Sequence, residues 1–156
     1  LPSGDTHYRY FMRGYGLSIP ISLLCVFLDY RISGGYIIGY SLGRWVSPDW
    51  DLMSVTSDEG RMVNEIPILG HFMFGVSSAY GSIFRRQHRS FLSHFPYIST
   101  IIRLVFLFIV PFTFLDSWGI NMIGGGWWVL WLGLWAGLSH ADGIHWWLDK
   151  FYGGDN

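Results

Sequence analysis

Apolar stretches broken by glycine and proline, and separated by short polar links, run through this chain from Leu17 to Leu148. They are Leu17–Leu28, Ile32–Val46, residues 66–84, Tyr97–Leu115 and Trp127–Leu148. All five read as helices. Gly35-Tyr-Ile-Ile-Gly39 and Gly39-Tyr-Ser-Leu-Gly43 place a glycine every four residues on one helix face. That spacing either permits close helix contact or marks a helix that merely tolerates glycine. Pro20 falls early in the first run, where it would kink a helix or sit in its first turn. About 20 apolar residues cross a bilayer, so the first two stretches would be short, tilted or extended by their flanks.

Composition points the same way. Apolar residues make up 51% of the chain and charged residues 13%, against about a quarter charged in an average soluble domain. Nine Trp, nine Tyr and twelve Phe are the residues that gather where a bilayer meets water. The expectation is an all-α fold: a small polytopic membrane helix bundle of about four spans plus one interfacial or re-entrant helix, residues 1–156 forming a single membrane-embedded metal-binding domain. The formal charge of −1 gives no reason to expect a nucleic-acid partner. Cys25 is the single cysteine, which rules out a disulfide framework and makes it a packing residue. No cleavable signal peptide is expected, because the first apolar run follows a polar start and no small-residue cleavage pattern succeeds it.

The polar residues are as informative as the apolar ones. His7 follows Asp5, Asp49 and Asp51 flank Trp50, His88 and His94 lie six apart, and His140, Asp142, His145 and Asp149 crowd the end of the last stretch. If the stretches near 14–30, 32–46, 96–115 and 126–148 cross a bilayer and 66–84 does not, then His7, Asp49, Asp51, His88, His94, His145 and Asp149 emerge on one side. Arg9, Arg13, Arg44, Arg61, Arg85, Arg86, Arg89 and Lys150 fall on that same side, which the positive-inside rule makes cytoplasmic.

Imidazole and carboxylate together suit a hard or borderline divalent ion: zinc first, with manganese or iron as alternatives. Zinc takes about four ligands, and a catalytic zinc keeps one position for water. The seven candidate ligands exceed that number. They would suit either two ions sharing a water nucleophile or one ion whose histidines are oriented by outer carboxylates. His145 and Asp149 lie one helical turn apart on one face. A tight turn could bring His88 and His94 together, and a turn after Pro48 could face Asp49 and Asp51 inward, either one a candidate general base. Ser90 and Ser93 read as helix caps or as hydrogen-bond donors to the ligands. Arg89 could hold a phosphate or anchor to lipid headgroups with Arg85 and Arg86. His71 reads as a residue that caps or lines a helix. His140 and Asp142 divide between ligation, helix-end hydrogen bonding and an interfacial contact.

Four of these groups resemble the motifs of a bacterial family of small membrane proteins described as metal-binding, the DUF2227 family. Pro48-Asp49-Trp50-Asp51 looks like its Pro-Asp-x-Asp element, and His88-Arg89-Ser90-Phe91-Leu92-Ser93-His94 like its His-Arg-Ser-x-x-Ser-His element. Pro2-Ser3-Gly4-Asp5-Thr6-His7 resembles its opening Pro-Ser-Gly-x-Thr-His, and His145-Trp146-Trp147-Leu148-Asp149 its closing His-x-x-x-Asp. The order matches over nearly the whole chain, and the central element is the most specific of the four. The YdjM-like membrane-bound metal-dependent hydrolases share similar elements more distantly. This chain departs from the pattern by adding His140 and Asp142 upstream of His145. The resemblance implies a bacterial inner (cytoplasmic) membrane protein that binds a divalent metal.

Two functions follow as expectations. One is a metal-dependent hydrolase acting on a phosphoester or lipid-linked substrate at headgroup height. The other is a non-catalytic accessory subunit whose Trp- and Gly-rich helices pack against membrane lipids, pigments or a larger membrane protein complex.

Overall fold

The computed structural model describes residues 4–46, 63–84, 95–117 and 126–152. Five helices carry the described chain: α1 (Gly4–Val26), α2 (Tyr30–Leu42), α3 (Pro67–Phe84), α4 (Pro96–Ser117) and α5 (Trp128–Tyr152). There is no strand among the described residues, in keeping with the all-α expectation. Pro20 lies inside α1, and α1 begins well before its apolar run because Phe11 and Tyr15 find partners on α2.

The membrane-spanning part of the expectation is corrected. Among the described residues, no helix is long and apolar enough to cross a membrane. The physical reasons can be read helix by helix. The 13 residues of α2 rise about 20 Å, short of a hydrocarbon core of about 30 Å. The first half of α1 carries His7, Arg9 and Arg13, and the last half of α5 carries His140, Asp142, His145, Asp149 and Lys150. His7, His140, Asp142 and His145 are engaged in contacts between helices, and the four-span topology, with its re-entrant fifth helix, does not hold.

The centre of the fold is the contact between α2 and α5. Its backbones meet almost without intervening side chains. A Cβ on Gly137 would lie 1.9 Å from the Tyr36 carbonyl oxygen, and one on Gly133 would lie 2.4 Å from that of Ile32. In the opposite direction, a Cβ on Gly35 would lie 2.3 Å from the Leu130 carbonyl oxygen, and one on Gly39 would lie 2.2 Å from that of Leu134. Glycine is required wherever one backbone approaches another this closely. The glycine spacing in α2 therefore serves contact, and α5 supplies the matching pair.

The ends of this helix pair are locked separately. Asp29 caps α2, accepting from the Arg31 amide at 2.7 Å, which satisfies one of the free donors of the first turn. Arg31 returns a 2.7 Å ion pair to Asp29 and donates to the Gly126 carbonyl at 3.3 Å. Gly126 has φ +84°, a left-handed conformation that side-chain-bearing residues adopt at a cost. At the other end, Val46, Tyr80, Leu107 and Leu138 form a buried apolar cluster that brings α3 and α4 onto the pair. The far end of α1 is apolar and outward-facing, with Leu23 62% and Leu24 66% exposed, and Phe27 and Leu28 in the turn beyond it are more exposed still.

Substitution of Gly137 by alanine should destabilise the fold by about 1–3 kcal/mol, the usual effect of overpacking. Gly34, on the same contact helix, has open space around it. Its replacement by alanine should leave stability unchanged or raise it by up to about 1 kcal/mol through helix propensity. Urea unfolding of the two variants separates these outcomes, and equal effects would contradict the close packing of α2 on α5.

Candidate metal centre

The first turns of α1 and the last turns of α5 come together, and the polar residues there converge. His145 and Asp149 share a face of α5 at i,i+4, with Nε2 of His145 3.2 Å from Oδ2 of Asp149. His7 approaches from α1, its Nε2 3.3 Å from Oδ1 of the same carboxylate. The two imidazoles stack with centroids 4.2 Å apart and planes inclined by 29°. All three side chains are largely buried, His7 14%, His145 10% and Asp149 21% exposed.

This register of α1 is held by an aromatic ladder one turn further on. Tyr40 of α2 donates to the Phe11 carbonyl at 2.6 Å. Its ring stacks on Phe11 at 4.9 Å and meets Tyr15 edge-on at 4.9 Å. Tyr15 in turn donates to Ser41 Oγ at 2.9 Å, and Ser22 donates to the Ser33 carbonyl at 3.1 Å. Because α2 is fixed on α5 by the glycine contact, fixing α1 on α2 also fixes His7 opposite His145.

The geometry suits a cation. One ligand atom from each of His7, His145 and Asp149 lies within 4.8 Å of the other two. The 3.2 and 3.3 Å contacts run to the two different oxygens of the Asp149 carboxylate, which sits between the imidazoles as a bridging or single-oxygen ligand to a small cation could. His7 Nε2 is buried and makes no aligned hydrogen bond among the described residues. Burial pushes the Asp149 carboxyl up, but the adjoining imidazoles of His145 and His7 outweigh it and hold the group well below the usual carboxylate range. Asp149 is therefore an anion at neutral pH, as a ligand must be.

Beside the two histidines lies a partly open cavity of about 30 Å³, also walled by Phe11, Gly43, Arg44 and Leu148. That is room for one or two water molecules. Arg44 reaches the cavity from the end of α2 and pairs with Glu65 at 2.6 Å, its guanidinium 5.2 Å from the Tyr8 ring centroid. Arg44 entered the sequence reading only as part of the charge bias, and Glu65 did not enter it. Their separation in sequence gives no signal of the pairing.

The remaining candidates divide into two groups. Asp49, Asp51, His88, Arg89, Ser90, Ser93 and His94 lie outside the described residues. His140 and Asp142 lie inside and are engaged elsewhere. His140 Nδ1 is 2.6 Å from the Tyr36 hydroxyl, and burial pushes the imidazole's pKa down. Asp142 is buried in an ion pair with Arg103 of α4, with Thr100 donating to the same carboxylate. Arg103 also donates to the Val46 carbonyl at 2.7 Å. Burial pushes the Asp142 carboxyl up, while Arg103 and Thr100 pull it back. His71, exposed on α3, bonds through Nδ1 to the Pro67 carbonyl of its own helix at 2.5 Å, a local role of the kind expected.

Comparison of the chain with protein-family models, curated proteins and solved structures gave no match.

Because Arg103 and Asp142 are almost wholly buried, removing one alone leaves an uncompensated charge. Arg103→Met should destabilise the fold by about 3–5 kcal/mol, whereas Arg103→Met with Asp142→Leu should be far milder. A double-mutant cycle by chemical denaturation measures the difference, and additive losses would contradict direct pairing.

Proposed function

We propose that this chain binds a divalent metal ion, zinc by the chemistry of its ligands, through His7, His145 and Asp149, and that the bound ion activates water for hydrolysis. The observation that carries this reading is the convergence of two largely buried imidazoles on one carboxylate, with one ligand atom from each residue within 4.8 Å of the other two. Three protein ligands with a water-sized cavity alongside fit the arrangement of catalytic zinc, which keeps its fourth position open. Bound zinc supplies a Lewis acid and lowers the pKa of a coordinated water to about 7. In this chain His7 and His145 would hold the ion from two helices, and Asp149 would contribute the negative charge. Arg44 at the cavity wall would be placed to neutralise charge developing on a substrate oxygen. A phosphoester or ester is the substrate class that such a site serves.

A second reading has its own observation. The ligands join the first described helix to the last, so the ion would also act as a clasp that holds α1 on α5, with no turnover required.

The test is elemental mass spectrometry after dialysis against zinc, followed by a hydrolysis assay with bis(4-nitrophenyl) phosphate. The native chain should retain one equivalent of zinc, and His145→Ala and Asp149→Ala should lose it. His71→Ala should keep it. Zinc at about a hundred times its Kd should stabilise the native fold by about 2.7 kcal/mol, read as a rise in Tm that a chelator reverses. Metal-dependent turnover, lost in His7→Ala, supports the hydrolase, and a zinc-dependent rise in Tm without turnover supports the clasp. A native chain that retains no zinc contradicts both.

A further inference from the structure

Apart from the metal centre's cavity, though sharing Ile144 with it, an open cleft of about 610 Å³ runs between α1, α4 and α5. Its volume falls in the range of small-molecule sites, about 300–1,000 Å³. Tyr10 and Leu17 of α1, Tyr97 of α4 and Trp147 of α5 give it a mostly apolar, aromatic lining. Three polar groups also line it: Arg13, Ser139 and His140. None is used by the metal centre.

These polar groups have unfilled bonding capacity. Ser139 is 5% exposed, yet its hydroxyl has no hydrogen-bond partner among the described residues. A buried hydroxyl without a partner carries a desolvation cost of about 1–3 kcal/mol, which a ligand atom in the cleft would relieve. His140 has Nδ1 engaged by Tyr36, leaving Nε2 as its second hydrogen-bonding atom. Arg13 lies with its guanidinium 5.4 Å from the Tyr10 ring centroid and pairs with no carboxylate among the described residues.

We propose that this cleft binds a small aromatic monocarboxylate. The flat ring would lie against Tyr10, Tyr97 and Trp147, where offset stacking is favourable. The carboxylate would take a charge-assisted hydrogen bond from Arg13, and its second oxygen would accept from the Ser139 hydroxyl. A single cation matches a monoanion better than a phosphate dianion. Burial favours the neutral imidazole of His140, which contributes a hydrogen bond to the carboxylate without adding a second charge. This site does not depend on the metal reading, because it shares none of its ligands.

The test is isothermal titration of the full chain, kept metal-free with a chelator, with 2-naphthoate and its neutral analogue 2-naphthamide. Saturable 1:1 binding of 2-naphthoate is expected. Arg13→Gln should weaken it about tenfold, the loss of one charge-assisted hydrogen bond, while changing the binding of 2-naphthamide little. Ser139→Ala should weaken both probes. Arg9→Gln, an exposed arginine of the same helix outside the cleft, should change neither. Absent saturation, equal sensitivity of both probes to Arg13→Gln, or an Arg9→Gln effect as large as that of Arg13→Gln overturns the proposal. Binding of 2-naphthoate that requires added zinc and vanishes in His7→Ala also overturns it, by placing the carboxylate at the metal centre, and leaves the metal reading standing.

Discussion

The backbone-to-backbone contact of α2 and α5 sets the position of everything else in this molecule. Gly35 and Gly39 face Gly133 and Gly137 so closely that each missing Cβ makes room for a carbonyl of the other helix. Such an interface is stiff, because sliding one helix past the other would drive side chains into backbone. Tyr36 and Tyr40 flank this contact, and their hydroxyls reach past it to His140 and to the backbone of α1. The glycine contact thus works as a datum from which α1 is positioned, and α1 in turn delivers His7 to the end of α5.

Polar groups within the fold play a different part from the one that their abundance in an apolar chain suggests. Asp142 sits three residues before His145 and could be mistaken for a fourth ligand. It is consumed instead by Arg103 and Thr100, which dock α4 against α5. An ion pair that lies this deep contributes little net stability compared with a well-packed apolar pair, but breaking it on one side is costly. The result is a division of labour along one helix. Asp142 faces α4 and holds the bundle, His140 faces α2, and His145 with Asp149 faces α1 and forms the candidate metal centre.

How much of this was legible in the sequence follows from which physical signals are local. The helices were: apolar runs at 32–46, 66–84, Tyr97–Leu115 and Trp127–Leu148 lie within a few residues of α2, α3, α4 and α5. The i,i+4 spacing of His145 and Asp149, a local property, placed both on one face. The glycine repeat in α2 indicated a close contact but not its partner, since Gly133 and Gly137 carry the same spacing on α5 without any mark that the two sets meet. The pairing of Arg103 with Asp142 and the approach of Arg44 to the histidines were not legible, because both join residues from distant helices. Membrane spans were inferred from the apolar runs, the low charged fraction and the many aromatic residues. Those signals count apolar side chains along the chain and do not show which polar ones will be buried between helices, and no described helix meets the requirement for crossing.

The most direct measurement of the central claim is X-ray absorption at the zinc edge on the zinc-loaded chain. The account predicts a shell of nitrogen and oxygen scatterers at about 2.0–2.1 Å, with the outer-shell signature of imidazole, diminished by His7→Ala and again by His145→Ala. A fully hydrated shell without imidazole scattering, sulfur ligation from Cys25, or a spectrum unchanged by either substitution would contradict it.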